Sequence, residues 1–151
     1  MRKLGLQTAK KLIDGAEQEA RRIGVPMVIT VVDDGGNLVA AHRMDDALLA
    51  SVDISLNKAW TAVALKMSTA QLASEASTDG ELYGIHATNH GRVVIFGGGI
   101  PLHQNGRIVG AVGVSGGSVN EDVQVAEAAV RVYEQLEASC GDGDSPKGEH
   151  A

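Results

Sequence analysis

The chain has 151 residues, 44% of them hydrophobic and 21% charged, with a formal charge of −6, which describes one soluble globular domain and leaves no room for two packed ones. Thirteen scattered Lys and Arg make no basic stripe, and the four aromatic residues Trp60, Tyr83, Phe96 and Tyr133 make no base-stacking platform, so a nucleic-acid partner is not expected. The one cysteine, Cys140, permits neither an internal disulfide nor a cysteine-rich metal centre, and no uncharged run approaches the ~20 apolar residues of a membrane helix.

The N-terminus reaches Lys10 and Lys11 before any apolar stretch long enough for a signal peptide, and the expected location is the cytoplasm. From Thr8 to Ile23, the apolar Ala9, Leu12, Ile13, Ala16, Ala20 and Ile23 recur at helical spacing, and Gly24 and Pro26 end the helix. Met27 to Val32 is β-branched and apolar, Asp33 to Asn37 tolerates positive φ, and Leu38 to Ala41 resumes, which reads as a β-hairpin. Ala47 to Met67 has helical periodicity, with Ser68 and Thr69 as a stop and a new N-cap for a short helix to Ala76. Thr78 to Gly91 has no dominant period and is read as helix and loop.

Arg92 to Phe96 is read as a buried strand, and Ile100 to Gln104 as another. Asn105-Gly106 then marks a hairpin into Arg107 to Val114. Ser118-Val119-Asn120-Glu121 has the form of a capping box opening a helix through Leu136. The expected organisation is one domain over residues 1–138 and a Gly-, Asp- and Ser-rich disordered tail over 139–151. Two hairpins without β-α-β alternation predict an antiparallel α+β fold.

Gly113-Val114-Ser115-Gly116-Gly117 matches a nucleophile elbow, but the only histidine downstream is His150, in the expected tail, so the partners of a serine hydrolase are missing. The same glycines, before a helix N-terminus, offer either an anion cradle or close packing of helix on sheet. Gly97-Gly98-Gly99 precedes a strand and no Lys-Ser/Thr follows it, which excludes a P-loop. His86 and His90, four apart, would share one face if the segment were helical. His42 and His103 flank strands, and any of the four as neutral imidazole suits haem iron. Arg43, Asp45, Asp53 and Lys58 form the densest charged stretch, fit for a helix-start ion-pair set or for holding a carboxylate.

Taken together, Val31-Val32-Asp33-x-Gly35-Gly36-Asn37, Arg43-Met44-Asp45, Asp53-Ile54-Ser55-x-x-Lys58-Ala59-x-Thr61-Ala62, Phe96-Gly97-Gly98-Gly99-x-Pro101 and Gly110 to Gly117 resemble the GlcG/HbpS-like proteins, which include the C-terminal domain of PduO-type corrinoid adenosyltransferases. The stretch from Asp53 to Trp60 is most similar to OrfY-type members of diol or glycerol dehydratase operons. The resemblance implies a profilin-like α/β/α fold with a five-stranded antiparallel sheet flanked by helices, and self-assembly into dimers or larger rings. It also implies haem or another tetrapyrrole as a ligand, without implying catalysis. His42 is the histidine that adjoins a matching segment.

The leading expectation is a small-molecule-binding accessory protein, holding haem or a related tetrapyrrole and linked to B12-dependent diol or glycerol metabolism. Its candidate ligand-binding residues are Arg43, Asp45, Lys58, Gly98, Gly99, Ser115 and Gly116, and its candidate axial ligands are His42, His86 and His103. The rivals are a non-catalytic assembly factor and an enzyme acting on a small hydroxy acid or diol. The enzyme would use Arg43 or Lys58 to hold a carboxylate and Asp33 or Asp45 as acid or base.

Overall fold

The computed structural model describes residues 4–141. Helix α1 spans Leu6–Ile23 and buries Ala9, Leu12, Ile13, Ala16 and Ala20. It ends at Gly24 (φ 72), where the Gly24 N–H donates to Arg21 O and the Val25 N–H to Ala20 O, so the last carbonyls are satisfied as the chain turns away. Strands β1 (Val28–Asp33) and β2 (Leu38–Arg43) form the expected hairpin. Its turn is held by the Asp33 Oδ1, which accepts from the Gly35 and Asn37 N–H groups at 2.9 and 3.0 Å.

Helix α2 (Ala50–Leu65) and the short α3 (Thr69–Glu75) follow, the latter capped by the Ser68 hydroxyl accepting from the Gln71 N–H. Strands β3 (Gly99–Gln104) and β4 (Arg107–Ser115) form the second hairpin, and α4 (Val119–Gly141) closes the fold. The capping box forms as expected: the Ser118 N–H donates to Glu121 Oε1, and the Glu121 N–H to the Ser118 hydroxyl. Helix α4 continues to Gly141, beyond the boundary expected at residue 138, and residues 142–151 of the expected tail lie outside the described residues. No helix among the described residues is long and apolar enough to cross a membrane.

The sheet is antiparallel, in the order β2-β1-β4-β3. Alternation along β1 and β4 gives it two unlike faces. Ile29, Val31, Val112 and Val114 join α1 and α4 in the larger core, through Leu12, Ile13, Ala16, Val125 and Ala129. Thr30, Val32, Ala111, Gly113 and Ser115 face α2, where Val32 and Ala111 meet Ala59 and Ala62. The α/β/α layering thus follows from the period of two in the strands.

Among the described residues the sheet has four strands, where five were expected. The segment Arg92 to Phe96 carries the apolar residues of a strand but pairs with none. A side chain takes up part of its backbone instead: the Val94 N–H donates to Thr61 Oγ1 at 3.1 Å, while the Thr61 hydroxyl lies within reach of Asn57 O and Arg92 O. A hydroxyl on α2 thus replaces part of a ladder, and Val93 is buried without a sheet.

Helices α1 and α4 are also joined at their surface. Arg22 pairs with the Glu19 carboxylate and the Gln124 amide donates to its Oε1 at 2.8 Å, which lowers the Glu19 pKa from 4.5 to about 2. A carboxyl depressed by folding contributes stability that is present above pH 4.5 and is lost as pH falls through about 2. Glu19→Gln is therefore expected to flatten the acid unfolding curve in that window, with a smaller difference at high salt. Identical acid curves for the two proteins would refute the contribution.

Candidate functional site

The structure gathers some of the expected site residues and disperses the rest. Lys58 is fully buried in α2, and its Nζ donates to Val114 O at 2.8 Å and to Asp122 Oδ2 of α4 at 2.9 Å. The aliphatic stem runs past the end of the sheet beside Gly98, where φ is +126 and a Cβ would lie 2.7 Å from the ammonium nitrogen. The face of Phe96 lies 5.0 Å from the same nitrogen. Burial holds the Lys58 amine below the usual lysine range and the Asp122 carboxyl above the usual aspartate range, although each stabilises the other's charge. Lys58 therefore ties the two outer layers together.

Ser115 is likewise committed: its hydroxyl lies 3.0 Å from that of Ser51, and both are buried. Gly116 has φ +149, and a Cβ there would lie 2.6 Å from Pro26 O. The nucleophile-elbow spacing is thus a packing motif, with a serine where a hydrolase places its histidine. Asp33 is taken up by its own turn and Asp53 by the Asn57 amide at 3.0 Å, and among the described residues no ion pair joins Arg43 to Asp45 or Asp53. Gly98 and Gly99 do line a groove, of about 400 Å3, with Ile100, Val123 and Arg131. His86 and His90 lie on two short 3-10 turns, and His90 has φ 58, so they share no helical face. His103 lines a separate cavity near the β3–β4 turn.

The residues that do come together are His42, Arg43 and Asp45. With Glu17, Arg21 and Met44 they line a cavity of about 600 Å3 between α1 and β2. The His42 Nδ1 is in hydrogen-bond contact with Glu17 Oε1, and Glu17 is also bridged by Arg21 at 3.3 Å. Asp14, one turn before Glu17, brings a further carboxylate oxygen, and ligand atoms of Asp14, Glu17 and His42 lie within 4.8 Å of one another. This is the single such group of histidine and carboxylates among the described residues. The Met44 sulfur is not free, since it accepts from the Met27 N–H at 3.4 Å.

An imidazole with one nitrogen on a carboxylate keeps the other as a more basic donor, the arrangement of most iron- and zinc-bound histidines. The partner of His42 lies 25 residues away in sequence, so no local spacing could show it. The exposure pattern of β2 is the one available signal: an edge strand with half-exposed and exposed residues, against the fully buried β1 beside it.

Residues 4–131 match the family described as haem degrading protein HbpS-like. The chain belongs to the HbpS-like family. Among HbpS-like relatives, an uncharacterized 15.0 kDa protein of the dhaT-dhaS intergenic region of Citrobacter freundii is 47% identical over 87% of this chain and 92% of its own length. The corrinoid adenosyltransferase PduO of the same organism is 42% identical over 84% of this chain but only 38% of PduO. In three dimensions this HbpS-like chain is similar to the ORFY protein of Klebsiella pneumoniae, with a TM-score of 0.87 at 42% identity, covering 91% of this chain and 94% of ORFY. It is also similar to PduOC in a complex with heme, with a TM-score of 0.84 at 37% identity, covering 87% of this chain and 95% of that one.

Proposed function

We propose that this chain binds haem or a related tetrapyrrole in the cavity between α1 and β2, as an accessory protein of B12-dependent diol or glycerol metabolism. The observation that carries the reading is His42. Its Nδ1 is engaged by Glu17, which leaves Nε2 for an iron ion, and it opens on a cavity of about 600 Å3, within the size range of cofactor sites. Arg43 on the same wall suits a carboxylate of a haem, while Arg21 holds Glu17 against His42. The donor set fits the group: an imidazole nitrogen, the Arg43 guanidinium and a thioether-bearing wall. The similarity to a heme-bound PduOC and to a corrinoid adenosyltransferase supports the ligand class and the metabolic link.

The rival enzyme reading has lost two of its four residues to the scaffold, Lys58 to Asp122 and Asp33 to its turn. That weighs toward binding. A haemin titration followed at the Soret band tests the proposal. Saturable binding is expected, lost in His42→Ala and kept in His86→Ala, His90→Ala and His103→Ala. Glu17→Gln is expected to weaken it by roughly tenfold or more. Binding that survives His42→Ala would move the site elsewhere, and no saturable shift beyond that of a control protein would remove haem altogether.

A further inference from the structure

Three turns meet at the end of the sheet remote from Ser115, around a cavity of about 470 Å3 lined by Asp34, Val63, Lys66, His103, Arg107 and Ile108. Local chemistry fixes the backbone on every side. The Asp33 side chain locks the turn that carries Asp34. Lys66 closes α2 in the left-handed region, with φ 57. Asn105 and Gly106 both have positive φ, at 51 and 75, which is the tight hairpin geometry that sets His103 and Arg107 on its two flanks.

The charges here are unlike those of the other cavities. Beside His42, Arg21 is paired with Glu17 and the wall carries Asp45 as well as Arg43, and beside Gly98, Arg131 stands with Glu127 and Glu134. Here Lys66, Arg107 and the ionisable His103 face a single carboxylate, Asp34. None of the three cationic side chains has an ion pair among the described residues. In a chain of net charge −6, a concentrated positive wall without internal partners is a place for an external anion.

We propose that this cavity binds a small hydroxylated anion, a phosphate monoester or hydroxy-carboxylate. Lys66 and Arg107 take the anionic group, Arg107 with the planar fork that matches carboxylate and phosphate oxygens. His103 supplies a further donor. Asp34, which as a carboxylate only accepts, is placed to take a hydroxyl donor on the ligand. Val63 and Ile108 cover the carbon skeleton. The haem reading uses none of these residues, so the two proposals stand or fall separately.

Calorimetric titration of the full chain with glycerol 3-phosphate, glycerate, inorganic phosphate and glycerol, at constant ionic strength, tests the site. Saturable binding of at least one hydroxylated anion is expected, with inorganic phosphate weaker and glycerol silent. Whether the ester or the carboxylate binds more tightly identifies the anion class. Lys66→Asn, which the left-handed region tolerates, combined with Arg107→Gln should weaken binding by on the order of tenfold or more. Asp34→Asn should reduce the preference for the ester over inorganic phosphate. No saturable heat with any anion overturns the proposal, as does unchanged binding in a double variant whose circular dichroism and melting stay native. Should the double variant unfold, Arg107→Gln alone, on an exposed hairpin flank, gives the same test.

Discussion

Lys58→Met is expected to destabilise the protein by ~3–5 kcal/mol in chemical unfolding, because it leaves a buried carboxylate without its cation. In the native protein Asp122 is held by the Lys58 ammonium at 2.9 Å and by the Gly117 N–H at 2.9 Å, and it is 3% exposed. Removing the ammonium alone strands the charge. Adding Asp122→Asn to Lys58→Met should recover most of the loss, since an amide oxygen still accepts from Gly117 and carries no charge to be balanced. Burial lowers the Lys58 pKa and raises that of Asp122 against their mutual attraction, so the pair is expected to matter far more when half of it is removed than when both halves are. A loss under about 1 kcal/mol for Lys58→Met, the value of a surface pair, would show that the ammonium does not hold Asp122 in solution.

The second large effect is expected at Gly113. Helix α2 lies so close on β4 that a Cβ at this position would collide with Ser55 O and stand 2.7 Å from Ala59 N, both backbone atoms with no rotamer to turn away. Gly113→Ala must therefore lift α2 from the sheet. The Thr30–Ser55 hydroxyl pair at 2.8 Å and the Ser51–Ser115 pair at 3.0 Å would go with it. A cost at or above the top of the ~1–3 kcal/mol range for overpacking follows. Gly5→Ala is the control, because nothing lies within 4 Å of a Cβ there. If both variants unfold at the same denaturant midpoint, the close approach of α2 is not the reason Gly113 is a glycine.

Much of the fold was legible because its punctuation is local. Gly24 ends α1, the Asp33 turn and Asn105-Gly106 make the hairpins, and Ser118 with Glu121 opens α4, each by chemistry contained in a few consecutive residues. Arg92 to Phe96 misled for the complementary reason. Apolar content says that a segment is buried, but not whether its N–H groups will find a strand or the hydroxyl of Thr61, 33 residues away from Val94. The charged residues were the least legible. Lys58 meets a partner 64 residues on, and His42 one 25 residues back, so spacing along the chain gave neither. Lys58, Gly98, Gly113 and Ser115 all fall in the segments that carry the resemblance, and each is bonded or closely packed within the fold.

The route of Lys58 past Gly98 bears on how the molecule comes apart. Helix α2 packs on one face of the sheet and α4 on the other, yet one side chain on α2 is bonded both to the carboxylate of Asp122 on α4 and to the Val114 carbonyl of β4 between them. Neither outer layer can open without breaking bonds that belong to the other. Amide hydrogens near Lys58 and near Asp122 should therefore exchange with solvent in the same opening event, although they lie on helices packed on opposite faces of the sheet.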